Sequence, residues 1–186
     1  MRITNIEINK NWLFHQANTE NFKEIITSGK IKPPIQIKPF SEIDIETANG
    51  PFYISLAKKT DTLYDSSYNY FIRDQYAFII DNISTIKTHH MESNNLFSNT
   101  QLLRMFLPIR FSNWKDEYQT RKPISINKVL GIKIPSKRGN YYIGRNQYID
   151  FFLYVMKDTN TYFPFVDIEK KIQIDPSNIK EYIRTR

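Results

Sequence analysis

Residues 12–29 read WLFHQANTENFKEIITSG, and two secondary-structure patterns meet in this stretch. It begins with a short apolar and aromatic run, which is typical of a buried strand that ends near His15. A helix is predicted next, because Asn18 or Thr19 can cap its first turn and Gly29 can end it. Its apolar side chains recur at helical spacing at Phe22, Ile25 and Ile26. The predicted fold therefore begins with a strand that ends near a histidine, followed by a helix that ends at a glycine.

Three further apolar segments predict strands, and they are residues 52–56, 76–81 and 129–134. A turn signal at Asn49-Gly50-Pro51 precedes the first of them, and Pro135 ends the last. Residues 31–51 contain four prolines and are predicted as a loop with one edge strand. Residues 61–70 are polar and tyrosine-rich, which indicates a loop running into a short helix. Several short strands with few helices predict a mixed α+β domain.

The C-terminal part of the chain is predicted as a basic extension, residues 136–186, that packs on a core of residues 1–135. Within the extension, residues 148–156 are apolar on nearly all sides and indicate a buried helix or strand. Residues 163–174 predict a strand, and residues 176–186 predict a short basic helix.

Composition narrows the class of protein. The chain has 186 residues, which is enough for one well-packed core. Hydrophobic residues make up 40% and aromatic residues 15%, which excludes an intrinsically disordered chain. No apolar run approaches the roughly 18 residues that span a bilayer, and the N-terminus does not resemble a signal peptide, so we expect a cytoplasmic protein without a membrane partner. Because the chain has no cysteine, disulfides, thiolate metal sites and a cysteine nucleophile are excluded.

Positive charge is concentrated in the second half of the chain. Residues 1–100 carry 10 Lys and Arg against 11 Asp and Glu, whereas residues 101–186 carry 16 against 8. This asymmetry favours an anionic partner such as nucleic acid, although a basic, solvated face is the simpler alternative. If nucleic acid binds, we expect Lys137, Arg138 and Arg145 to contact it, since they follow the last predicted core strand.

Individual candidate residues decide little when each is taken alone. A histidine at the end of an apolar strand, such as His15, is more often structural than functional. The pair His89-His90 has no Asp, Glu or Cys cluster at ligand spacing, so we predict no metal site. Glu117 alone would be an ordinary carboxylate at a strand edge.

The order of these residues is more informative than any one of them. His15 precedes a helix, Tyr53 lies on a strand after a Gly-Pro turn, and Asp116-Glu117-Tyr118 precedes a strand. This order resembles the His-Tyr-Glu signature of ADP-ribosyltransferases, in particular the catalytic domains of poly(ADP-ribose) polymerases and phage or toxin transferases. The resemblance covers roughly residues 12–135. It implies an ADP-ribosyltransferase-like mixed sheet with short helices, and NAD as the substrate.

The resemblance also implies roles for two residues in the chemistry. Departure of nicotinamide from NAD leaves an oxocarbenium-like ribose, which a fixed carboxylate stabilises. Glu117 would accept a hydrogen bond from the ribose 2′-hydroxyl and could orient or deprotonate the acceptor. His15 would hold the adenosine-side ribose.

Four further residues complete the implied NAD site. Tyr53, with Tyr70 as its partner in preference to Tyr64 or Tyr68, would stack on the nicotinamide ring. Ser55 would bond the carboxamide, and the backbone of Gln16 would contact the nicotinamide amide. The implied catalytic set is thus Glu117, His15 and Tyr53, and the implied NAD-binding set is His15, Gln16, Tyr53, Ser55 and Tyr70.

Two departures from the family pattern bear on activity and acceptor. Gln16 and Ala17 follow His15 where the family has Gly and then Ser or Thr, so a hydroxyl contact from position 17 is lost. Lys115 stands where transferases of arginine or asparagine carry Glu or Gln, which disfavours those acceptors. We therefore expect transfer to a nucleic acid or another protein, in the host cytoplasm if the chain is encoded by a phage or prophage.

Two alternatives to catalysis stay open at this level. The chain could be a basic nucleic-acid-binding module in which some of its 12 Tyr and 13 Phe stack on bases, although most of these aromatics are more simply core. It could also be a degenerate transferase fold with an inhibitory or structural role, which the departures at Gln16 and Ala17 would allow.

Overall fold

The computed structural model describes residues 2–38, 52–58, 75–87, 89–90, 111–112, 117–136 and 145–186. Several residues predicted above to contribute to a site lie outside this part of the chain: Tyr70, Lys137, Arg138 and the side chain of Arg145. The predicted loop 61–70, Lys115 and Asp116 lie outside it as well.

The described residues form thirteen strands and three α-helices. The strands are β1 (Ile3–Asn5), β2 (Leu13–Gln16), β3 (Lys30–Ile31), β4 (Ile54–Lys58), β5 (Ala77–Ile80), β6 (Ile86–Lys87), β7 (His89–His90), β8 (Phe111–Ser112), β9 (Glu117–Thr120), β10 (Ile124–Ser125), β11 (Val129–Lys133), β12 (Phe165–Asp167) and β13 (Ile172–Ile174). The helices are α1 (Thr19–Ser28), α2 (Arg145–Asp158) and α3 (Ile179–Thr185). The predicted mixed α+β class, with a mixed sheet and short helices, is confirmed.

Nine of the described strands form one sheet in the order β1-β13-β12-β11-β5-β2-β4-β9-β6. Neighbouring strands of this sheet are antiparallel except β11 and β12, which are parallel. Parallel neighbours need a crossover, and α2 lies in the chain between these two strands. The strands nearest the N- and C-terminal ends of the chain, β1 and β13, pair with each other.

Helix α1 begins and ends where the sequence predicts. The side-chain oxygen of Asn18 accepts from the backbone N–H of Asn21 at 2.9 Å, and the Asn21 side chain accepts from the Asn18 N–H at 3.1 Å. This reciprocal pair satisfies two N–H groups that lack partners inside the helix. Gly29 follows the helix with φ of 67°, a left-handed conformation that glycine adopts without steric cost.

The two faces of the sheet are covered differently. On one face, Leu13, Phe78 and Ile80 join a core with all three helices. Phe22 of α1 stacks on Phe78 at 5.4 Å between ring centroids and lies 4.4 Å from Phe152 of α2. The other face carries a smaller buried cluster consisting of Phe14, Ala57, Ala77, Ile79 and Val166. Because side chains alternate along a strand, neighbours in the chain belong to opposite faces.

The structure refines several sequence-based predictions. Strands β5 and β11 lie inside the predicted segments 76–81 and 129–134, whereas β4 begins two residues after the predicted start at residue 52. Residues 148–156 belong to a helix, which decides between the two predicted conformations. Residues 163–174 form two antiparallel strands rather than one, since Lys171 turns the chain with φ of 53°.

The C-terminal part of the chain is joined to the sheet itself. Its strands β12 and β13 lie between β11 and β1, and α2 and α3 cover the core face. The predicted division at residue 135 therefore runs between two hydrogen-bonded neighbours, β11 and β12, in the described structure.

A buried ionic cluster ties the C-terminal residues to this sheet. The Arg186 side chain is 3% exposed, and its Nε lies 2.8 Å from Oδ2 of the fully buried Asp167. One terminal nitrogen of Arg186 donates to the Pro135 carbonyl at 2.8 Å. The Tyr182 hydroxyl donates to the same Asp167 oxygen at 2.7 Å. Burial, together with that hydrogen bond, raises the pKa of the Tyr182 hydroxyl.

Candidate functional site

Glu117, the residue predicted to be catalytic, is fully buried on β9 between β4 and β6. Its cross-strand partner on β4 is Ala57, a small side chain of the second face of the sheet. The side-chain amide of Gln119 donates to Oε1 of Glu117 at 3.1 Å. Strand β4 pairs with β9 along its whole length, and β6 pairs with its next two residues, Tyr118 and Gln119.

Strands β4 and β9 continue the site in steps of two residues. Gln119 pairs with Ser55, so these side chains share the face of Glu117. Beyond them, the Arg121 guanidinium lies 4.7 Å from the centre of the Tyr53 ring and also donates to the Tyr53 hydroxyl. Glu117 and Gln119 thus place a carboxylate and an amide about 7 Å apart on one face of β9. The pair of Arg121 and Tyr53 lies just outside the adjacent ends of β9 and β4.

His15 is joined to this site through the backbone of β4. Its Nδ1 lies 3.0 Å from the Ser55 carbonyl oxygen, which can only accept, so Nδ1 carries the proton. Burial lowers the pKa of His15 below its ordinary value of 6.5, and the hydrogen bond offsets only part of this effect. At neutral pH the imidazole is therefore uncharged, and its Nε2 is a hydrogen-bond acceptor.

The structure brings Glu117, Ser55 and Tyr53 onto one face of the sheet. His15 lies on the opposite face. His15 pairs with Phe78 and therefore belongs to the face that packs on the helices, whereas Phe14 belongs to the face of Glu117. His15 reaches the site at the end of β2, where Ser55 accepts its hydrogen bond.

The two residues that depart from the family pattern follow His15 directly. Gln16 lies, by alternation along β2, on the face of Glu117, and its backbone carbonyl accepts from the Asn21 side chain at 3.2 Å. Ala17 is buried and its N–H donates to the Tyr76 carbonyl at 2.9 Å. A larger residue at position 17 would have to displace packed neighbours.

Two contacts of the site were missed in the sequence: the bond from Gln119 to Glu117, and the pairing of Arg121 with Tyr53. A period-two pattern from Glu117 would have found Gln119 and Arg121 if 117–120 had been recognised as a strand. The segment has no apolar alternation, so that signal was weak.

The described residues contain neither a metal-binding cluster nor a membrane-spanning helix. Among them, no group of three or more His, Asp or Glu side chains is arranged to hold a metal ion. In the same part of the chain, no helix has both the length and the apolar character needed to cross a membrane.

Comparison with known proteins gives a structural similarity. No protein-family model matches the chain, and no curated protein matches it significantly. Among solved structures, the chain is similar to DarT from Thermus sp. 2.9 in complex with carba-NAD+, at 14% sequence identity and a TM-score of 0.48. The similarity covers 88% of this chain and 98% of that chain.

Proposed function

We propose that the chain is an NAD-dependent ADP-ribosyltransferase that transfers ADP-ribose to a nucleic acid or a protein, with Glu117 as the catalytic carboxylate. The observation that carries this proposal is the fully buried Glu117, which is held by Gln119 on the face that also bears Ser55. Buried carboxylates are rare unless partners hold them, and they are concentrated at functional sites.

The proposed reaction breaks the bond between ribose C1′ and the nicotinamide nitrogen, and nicotinamide leaves with the electron pair. Positive charge then develops on the ribose, and Glu117 stabilises it by accepting a hydrogen bond from the 2′-hydroxyl. A nucleophilic atom of the acceptor forms the new bond to C1′, and its proton passes to Glu117 or to water. The carboxylate need not move during the reaction, because Gln119 already orients it.

His15 and Tyr53 have binding roles in this proposal. The neutral His15 offers Nε2 as an acceptor for a ribose hydroxyl, since Nδ1 is bonded to Ser55. Arg121 already covers the Tyr53 ring at 4.7 Å, so a nicotinamide that stacks there must use the other ring face or displace the guanidinium. Ser55, Gln16 and Tyr70 keep their proposed NAD contacts.

The direct test is incubation of the protein with labelled NAD, together with DNA, RNA and a cell extract. Label that nuclease treatment releases identifies a nucleic-acid acceptor, and label that protease treatment releases identifies a protein acceptor. If titration calorimetry detects no binding of NAD and no label is transferred, the proposed function is wrong. The chain would then be better explained as a basic binding or inhibitory protein.

Substitution of His15 should affect NAD binding more than chemistry. His15→Ala should raise the KM for NAD with little change in kcat, because the proposed hydrogen bond exists already in the ground state. Steady-state kinetics of nicotinamide release would measure both constants. An unchanged KM with a lowered melting temperature would instead give His15 a purely structural role.

The pH dependence of stability should also depend on His15. Above about pH 6.5 the imidazole is neutral in both states, so its contribution to stability is complete. As the pH falls through 6.5, His15 of the unfolded chain binds a proton, whereas the buried imidazole of the folded chain does not. The free energy of unfolding therefore decreases until the pH reaches the lower pKa of His15 in the folded state. His15→Gln has no imidazole to protonate and lacks this loss. The difference in melting temperature between the parental protein and His15→Gln should therefore decrease from pH 8 to pH 5. A constant difference would contradict the assignment.

The acceptor or a docking partner is expected to be anionic, because residues 101–186 carry eight more basic than acidic residues. Binding of single-stranded DNA or RNA to several cations should weaken steeply with salt, whereas NAD binding should change less. We expect the combined change of Lys137, Arg138 and Arg145 to Glu to abolish most of this binding. Absence of binding to both nucleic acids at low salt would point to a protein acceptor.

A further inference from the structure

Gln119 contacts the proposed catalytic carboxylate from the same strand. Its side chain is 1% exposed, and its Nε2 donates to Oε1 of Glu117 at 3.1 Å. An amide nitrogen has only donor hydrogens and an ionised carboxylate only acceptor oxygens, so the two groups are complementary. A hydrogen bond to a charged group in a buried site is stronger than one between neutral groups.

The neighbouring strand leaves room for this contact. Side chains two residues apart on a strand start about 7 Å apart and point the same way, so Gln119 and Glu117 must lean towards each other. Their cross-strand partners on β4 are Ser55 and Ala57, both small. The hydrogen-bonded pair therefore lies opposite two small side chains of β4.

The charged groups on the neighbouring strands are placed elsewhere. Lys58 of β4 lies 5.7 Å from the ring of Tyr118, and Lys87 of β6 pairs with Tyr118, so both belong to the opposite face. Arg121 follows the end of β9, two residues after Gln119, and its guanidinium lies over the ring of Tyr53. Gln119 contacts the carboxylate directly.

We propose that Gln119 is a positioning residue that orients the Glu117 carboxylate for the ribose and stabilises its ionised form. This inference rests on the proposed function. By holding Oε1, the amide fixes the rotation of the carboxylate and so the direction of Oε2. Loss of the donor should leave NAD bound but the charge-stabilising group misplaced and more easily protonated.

The test uses hydrolysis of NAD, in which water is the acceptor and nicotinamide is released, so the natural acceptor need not be known. Gln119→Met keeps the side-chain length and removes the donor. We expect kcat to fall about 10- to 100-fold, as for loss of a hydrogen bond to a charged group, with the KM for NAD nearly unchanged. The acid limb of the kcat profile should move to higher pH. Gln173→Met, an exposed residue of β13, is the matched control and should behave as the parental protein.

Gln119→Glu is an independent test of the proposal if Gln119→Met does not fold. Two adjacent carboxylates resist joint ionisation, so the acid limb should move further to higher pH than in the parental protein. A parental kcat and pH profile in whichever variant folds would overturn the positioning role and leave the proposed function intact. No nicotinamide release by the parental protein would overturn the proposed function, and this inference with it.

Discussion

Glu117→Gln should lower ADP-ribose transfer by roughly 10²- to 10³-fold or more and leave NAD binding within a few-fold of the parental value. The substitution keeps the size of the side chain and removes the negative charge that the ribose cation needs. Because Glu117 is fully buried, the matching volume of Gln is needed to preserve the packing of β9. Label transfer and nicotinamide release measure the rate, and titration calorimetry measures the affinity for NAD.

A matched control for this change is Glu181→Gln on α3, whose side chain is exposed. This variant makes the same chemical change on a different element, outside the candidate site, and should retain parental activity. A melting temperature for each variant separates lost chemistry from lost structure. Transfer at the parental rate by folded Glu117→Gln would show that another group carries the reaction.

Arg186→Ala should destabilise the folded protein by about 3–5 kcal/mol, the range found when one partner of a buried ion pair is removed. Asp167 is fully buried and would lose the cation whose Nε lies 2.8 Å from its carboxylate. The Tyr182 hydroxyl and the Lys170 N–H would remain as donors to Asp167, at 2.7 Å and 3.0 Å. These two hydrogen bonds compensate only part of the lost stability. Urea unfolding at neutral pH would measure the change.

Arg184→Ala is the control for Arg186→Ala, since Arg184 is exposed on α3 and should matter little. Changing Asp167 to Asn together with Arg186→Ala removes the unpaired charge, so the double variant should be more stable than the sum of the two single effects predicts. A loss below about 1 kcal/mol in Arg186→Ala would place this pair among weak, surface-type ion pairs.

Local signals in the sequence predicted the elements that local interactions determine. Helix α1 is specified by Asn18 at its start, by Gly29 at its end and by apolar residues at helical spacing. Strand β5 is specified by an apolar run with charge on either side. By contrast, β9 has the sequence Glu-Tyr-Gln-Thr, and it pairs with β4 and β6, which lie far away in the chain.

The members of the candidate site stay a prediction from the sequence, which rests on the order of His15, Tyr53 and Glu117 along the chain. In the structure His15 lies on β2 and Glu117 on β9, and β4, which begins directly after Tyr53, lies between these two strands. The sequence could not show that His15 and Glu117 start from opposite faces, because that depends on the strand register. The pairing of Arg121 with Tyr53 joins residues 68 positions apart and has no local signal.

The pairing of β1 with β13 has a consequence for how the chain folds during synthesis. Ile3 is matched with Ile174, so this edge of the sheet forms only after residues 172–174 have left the ribosome. Such distant contacts raise the contact order, which slows folding to the range of milliseconds to seconds or beyond. Until residues 165–167 are made, β11 presents an unpaired edge that can attach to other chains. Active protein should therefore form only after residues 165–174 have emerged from the ribosome.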